Sequence, residues 1–378
     1  MGSDPFVADL AAAVRVPSLT GNEKPVLELL AERGEALGLR AELREYDLAA
    51  VRAHPDWPGA ETERDALWGL TLTRPGRGPR LALCGHVDVV EVGTESWRHD
   101  PFSGAIEDGR VHGRGSVDMK AGVIAAMHGL AAAGPGREVV LHCVASEEDG
   151  GQGCFAELEH DSEYAACLIT EPTAFETVCA QGGSLTVTGV VTGVAAHAAE
   201  RLHGRSAIDA YLPVHAALAE HEHALNSDVA DELMRAEELP YPLVVGVLKA
   251  GEWASTVPDR LEFSCRLPVR VGESFDDAVA AMQAAVGPGV RLTVGGGRFR
   301  AARTDTADPF AQLVRDVAGG GFAGVPWGAD MRLWTAKGIA TVMCGTSGIE
   351  RAHAVDEYVE IADVERLAGI VQRVVERF

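Results

Sequence analysis

The sequence predicts an α/β protein, with a mixed central sheet flanked by helices and an inserted α+β domain. Three observations carry this reading. Apolar strands at 81–84, 138–145 and 165–170 each run out into acidic or histidine residues. In α/β folds, ligands gather beyond the carboxyl ends of such parallel strands. From about Gln181 the texture changes to β-branched, alternating strands with one wet face. A β-α-β-β-α-β order then runs to Gly295-Gly296-Gly297, after which the chain returns to the first pattern. At 378 residues two domains are the natural expectation. They are 1–180 with 297–378, and the insertion 181–296.

Each element has a local reason. Helical spacing over 4–14 follows a cap from Ser3 or Asp4. A turn at 16–23 leads to an amphipathic helix over 24–37, stopped by Gly38. Strands are expected at 39–46 and 66–73. The Pro- and charge-rich stretch 49–65 between them reads as a surface excursion. The run KAGVIAAMHGLAAAG, 120–134, is small and apolar enough for a buried helix. The insertion has strands at 184–192, 241–250, 260–270 and 290–294, with helices at 206–226 and 274–286. The return supplies helices at 310–317 and from 331, a strand at 340–344, and a closing helix over 364–378 capped by Asp363.

Composition excludes several classes. Net charge is −23 and the pI near 4.9, which argues against nucleic acid and anionic membrane surfaces. No apolar run is long enough for a transmembrane helix, and the first residues lack the basic and apolar regions of a secretory signal. Seven cysteines, an odd number with no C-x-x-C, read as buried free thiols in a reducing cytoplasm.

The chemistry centres on residues 81–118. After the apolar run comes His86-x-Asp88, and a Gly-rich turn, His112-Gly113-Arg114-Gly115-Ser116, delivers Asp118. Glu147-Glu148 and Glu171 follow the next strands, and His353 lies in the return. Singly, each such residue is more often solvated, capping or structural. Together, two imidazoles and several carboxylates suit zinc, with cobalt or manganese as competitors. In the Glu147-Glu148 pair one carboxylate can bind metal while the other accepts a proton from water. As an isolated segment the pair would also pass for an acidic turn.

Seven stretches, in order, carry a resemblance: GHVDVV at 85–90, GRGSVDMKAG at 113–122, ASEEDGGQG at 145–153, TEPT at 170–173, GVAAHA at 193–198, WGAD at 327–330 and GTSGIERAHAVDEYV at 345–359. They resemble the zinc amidohydrolase family of acetylornithine deacetylase, succinyl-diaminopimelate desuccinylase and carboxypeptidase G. The resemblance implies a zinc-peptidase-like catalytic domain whose insertion is a lid and dimerisation domain. It implies two divalent metal ions. His86 and Glu171 would bind one, Glu148 and His353 the other, and Asp118 would bridge them, with a cis peptide after it. Glu147 would be the general base, and Asp88 would orient His86 through its carboxylate. His197 would stabilise the oxyanion in the partner's site.

Candidate substrate contacts are Arg266, Ser255, Asp330, Arg332, Thr346, Ser347 and Gly348. Arg266 and Arg332 could grip a carboxylate or serve inter-strand salt bridges. Relatives that remove succinyl groups carry arginines where this chain has Gln181-Gly182-Gly183, which counts against a succinyl substrate. The implied activity is removal of an N-acyl group, acetyl or formyl favoured, from a small amino acid or amine, as acetylornithine deacetylase does. A dipeptidase or carboxypeptidase of the same family and a catalytically silent binding relative are the alternatives.

Overall fold

The computed structural model describes residues 5–378. The chain divides into two compact units. One comprises the residues up to Cys179 with Arg303–Ala323 and Ala329–Phe378; the other comprises Ala180–Ala302 and Gly324–Gly328.

The first unit is built on a sheet ordered Arg40–Tyr46, Leu67–Arg74, Val139–Val144, Leu81–His86, Ala166–Ile169, Ala340–Met343, Thr177–Gln181 and Ala302–Arg303. The strand Phe322–Val325 also pairs with Thr177–Gln181. The four strands from Val139–Val144 to Ala340–Met343 are mutually parallel, and their flanking pairs are antiparallel. Every residue of Leu81–His86 and Val139–Val144 is buried, which explains continuous apolar runs in place of alternation. One cover is the helix Ala121–Ala132, apolar almost all round. Packed on it is Ile361–Arg377, which buries Val364, Leu367, Ile370, Val371, Val374 and Val375 at helical spacing. All seven cysteines are free and buried.

The second unit is a four-stranded antiparallel sheet ordered Val244–Ala250, Arg260–Val269, Gly183–Thr192 and Val290–Phe299. The helices Ala207–Ser227 and Phe275–Val286 pack on it around Phe263, Leu261, Val187, Leu218 and Met282. Ser206 and Ser274 cap these helices, accepting from the amides of Asp209 and Asp277 at 3.1 Å each.

Several expectations are corrected. Gly295-Gly296-Gly297 does not end the insertion. The last strand continues to Phe299 through a register shift between Gly295 and Arg298, because a glycine run tolerates a bulge. Asp363 does not cap the closing helix; it sits inside the first turn and accepts from the Ser347 amide at 3.2 Å. The stretch 49–65 opens inside the helix Leu48–Ala53, capped by Asp47, and holds a buried arginine, Arg64. Ser3 and Asp4 lie outside the described residues. A three-stranded sheet of Ala105–Glu107, Arg110–His112 and Tyr358–Glu360 escaped the sequence reading, because strands of three residues show no periodicity. Among the described residues no helix is long and apolar enough to cross a membrane.

Phe263 is fully buried at the centre of the second unit's core. Phe263→Ala is expected to cost about 3–5 kcal/mol of stability. Urea denaturation checks this, and a loss well under 1 kcal/mol would contradict the packing.

Candidate metal centre

The sheet delivers the candidate ligands. His86 is the last residue of its strand. Glu147 and Glu148 follow Val139–Val144, and Glu171 follows Ala166–Ile169. Asp118 sits in the turn that leads into Ala121–Ala132, before a cis peptide to Met119. His353 arrives on a loop with a left-handed backbone, φ 61°. A non-glycine residue in that region is held there by its surroundings.

Asp118 lies between two imidazoles. Its Oδ1 is 3.1 Å from His86 Nε2, and its Oδ2 is 3.4 Å from His353 Nε2. Glu171 stands 3.8 Å from His86 Nε2, and Glu148 stands 3.1 Å from His353 Nε2. Donor atoms of His86, Asp118 and Glu148 all fall within 4.8 Å of one another. The structure therefore brings His86, Asp118, Glu148, Glu171 and His353 together. Glu147 is buried, and its Oε1 makes no hydrogen bond among the described residues.

The charge balance is unusual. Asp88, Glu147 and Glu171 are buried, with Asp118 and Glu148 beside them. Burial, with neighbouring Asp118, Asp330 and Glu148, pushes Glu171 up to about 8, although His86 opposes this. Burial likewise raises Glu147 well above the usual carboxylate range. Hydrogen bonds to Asp118 and Glu148 lift His353 to about 10. Burial alone would raise Asp118, but hydrogen bonds from His353 and His86 hold it below the ordinary range. Such a set is a poor way to pack protein alone and a good way to hold cations. Imidazole and carboxylate donors suit zinc, cobalt or manganese, and Glu147 keeps a free oxygen beside them. The residues fit a pair of divalent ions.

The support around these ligands differs from the sequence reading. Asp88 was expected to orient His86 through its carboxylate. Instead His86 Nδ1 donates to the Asp88 main-chain oxygen at 2.9 Å, with the carboxylate at 3.6 Å. That carboxylate accepts from the amides of Glu147 at 3.1 Å and Glu148 at 3.2 Å, so it fixes the turn that carries both glutamates. Glu357, unnoticed in the sequence, accepts from the amides of Val117 and Asp118 and from Arg114. Arg64 pairs with Glu23 at 3.1 Å and Asp149 at 3.5 Å behind the same glutamate turn.

Two proposed substrate arginines are engaged elsewhere. Arg332 is 2% exposed, bonded to the carbonyls of Ala329 and Gly150 at 2.8 Å each and 3.7 Å from Asp330, so it braces the glutamate turn from inside. Arg266 spans the carbonyls of Pro242 and Pro326, at 3.1 Å each, within the second unit. Asp330 and Thr346 are buried. The Ser347 amide is taken by Asp363, and Gly348 turns the chain with φ 112°. In the second unit His197 and Ser255 are exposed and adjacent: the Ser255 carbonyl accepts from the Ala198 amide at 2.9 Å. His197 Nδ1 accepts from the Ala199 amide at 3.2 Å, which leaves the proton of the neutral ring on Nε2, facing away from that bond.

Close packing fixes Glu171. A Cβ on Gly345 would lie 2.1 Å from the Glu171 carbonyl oxygen, and one on Gly122 would lie 2.2 Å from that of Thr170. Gly345→Ala must therefore shift the backbone that aims Glu171. A displacement near 1 Å costs about 100-fold in rate. The variant is expected to show that loss together with weakened metal retention, measured by elemental analysis. Unchanged rate and metal content would contradict the packing argument.

Comparisons with known proteins fit this architecture. The family model for peptidase family M20/M25/M40 matches residues 82–377. A succinyl-diaminopimelate desuccinylase of Methylobacterium nodulans is 28% identical over 394 residues, covering 97% of this chain and 94% of the relative. An M20 metallo-carboxypeptidase from Sulfolobus solfataricus superposes with a TM-score of 0.75 at 15% identity, covering 99% of both chains. A dinuclear metal-binding M20 peptidase from Bacillus subtilis superposes with a TM-score of 0.60 at 15% identity, covering 100% of both. With most of its length matched by the family model, the chain belongs to peptidase family M20/M25/M40 and is a hydrolase of amide bonds.

Proposed function

We propose that this hydrolase removes a small N-acyl group from an amino acid or amine, with two divalent metal ions. Acetyl or formyl is the favoured acyl group, as in acetylornithine deacetylase. The observation that carries the reading is Asp118, set between His86 Nε2 and His353 Nε2, with Glu147 unbonded at one oxygen beside them. His86 and Glu171 would hold one ion, Glu148 and His353 the other, and Asp118 would be shared. Zinc suits this donor set first, with cobalt or manganese as competitors. When bound, such ions polarise a carbonyl and acidify water.

The chain's own residues do the rest. Glu147, with one carboxylate oxygen free of hydrogen bonds, takes a proton from the attacking water and returns it to the departing amine nitrogen. Asp88 holds the Glu147 and Glu148 amides, so base and ligand keep a fixed relation. The Nε2 proton of His197 suits it to donate to an oxyanion in a partner's site. Homodimerisation through the second unit is part of this reading. Its edge strand Val244–Ala250 exposes Val244, Val247 and Leu248, and such an edge is a template for pairing.

Two observations bear on the acyl group in opposite directions. The relatives' name speaks for succinyl. Against it, Gln181-Gly182-Gly183 offers no arginine where succinyl-removing relatives carry them, and Arg266 is bonded to two carbonyls. Solved peptidases of the same fold favour the second reading, a dipeptidase or carboxypeptidase.

The test is amine release from N-formyl, N-acetyl and N-succinyl amino acids and from dipeptides, by metal-stripped and zinc- or cobalt-reloaded protein. Metal-dependent release from acetyl or formyl substrates is expected, and release from dipeptides alone would overturn the deacylase reading. Glu147→Gln is expected to lose about 100- to 10,000-fold in kcat with its metal content intact. Full activity in that variant would remove Glu147 from the role of base.

A further inference from the structure

A second group of metal donors lies on the three-stranded sheet, apart from the ligands above. It consists of His99, Glu107 and His112, with donor atoms all within 4.8 Å of one another. His99 Nε2 is already 3.2 Å from Glu107 Oε2. Two ligands in tetrahedral geometry at zinc's bond lengths stand about 3.3 Å apart. His112 lies against His99, ring centroids 4.7 Å apart, and under Tyr358 at 5.6 Å. It is 8% exposed.

We propose that His99, Glu107 and His112 form a third divalent metal site, of the zinc-binding class, separate from the candidate catalytic pair. Two imidazoles and one carboxylate make a donor set that zinc takes, with the partial exposure of His99 and Glu107 leaving a path for entry and a place for water. Burial, with His99 beside it, lowers the affinity of His112 for a proton, which keeps the ring neutral for a metal. Arg98 competes, since its Nη2 holds Glu107 Oε2 at 2.7 Å and must yield to the ion. The site has a structural consequence. His112 pairs in register with Tyr358, and the adjacent Glu357 carries the amide of Asp118. An ion here would clamp the sheet that supports the bridging aspartate.

The test is zinc uptake by the metal-stripped full chain, by equilibrium dialysis against graded zinc followed by elemental analysis. The wild type, His99→Gln and Glu107→Gln are compared. His99 and Glu107 are partly exposed, so both variants should fold, and circular dichroism verifies this before dialysis. Each variant is expected to bind one zinc fewer per chain than the wild type, whatever the loading of the other sites. Arg98→Ala is expected to fill the same site at lower free zinc. Equal stoichiometry in the wild type and both folded variants would overturn the proposal.

Discussion

Asp118 is where the first unit's constraints meet. A carboxylate with an imidazole on each oxygen, among further buried glutamates, repels its neighbours and has little solvent to relieve it. The sheet holds this arrangement by exhausting other freedoms. His86 closes a fully buried strand, Glu171 is wedged by Gly345, and Asp88 ties the glutamate turn by two amides. Glu357 then fixes the backbone on either side of Val117 and Asp118.

The fold was legible where a period or an apolar run spoke for itself. The parallel strands, the buried helix after Asp118 and the βαββαβ order of the second unit all follow from patterning. His86, Glu148 and Glu171 were legible because each ends or follows an apolar strand, whereas Asp118 and His353 sit on a turn and a loop. Contacts across the chain were not. Nothing local says that Arg64 reaches Glu23 and Asp149, that Glu357 cradles Asp118, or that Asp88 acts through its main chain on His86. Arg332 and Arg266 were open between two readings for the same reason. An arginine near a motif can bind a ligand or brace a turn, and only its carbonyl partners tell which. The glycine run at 295–297 reads as a boundary in sequence and is a bulge in the sheet.

The second unit has a different character. Its helices and one sheet face make a closed core around Phe263, while the edge strand and the His197 loop stay exposed. The exposed imidazole carries its proton where a hydrogen bond can be given, and the apolar edge offers backbone for pairing.

The most direct test is anomalous scattering at the zinc edge from crystals of the zinc-loaded protein. Two peaks are expected to flank the Asp118 carboxylate, about 3.5–4 Å apart. One would be in reach of His86 and Glu171, the other in reach of Glu148 and His353. A single peak, or a pair that leaves Asp118 outside both coordination spheres, would contradict the shared aspartate on which the site is built.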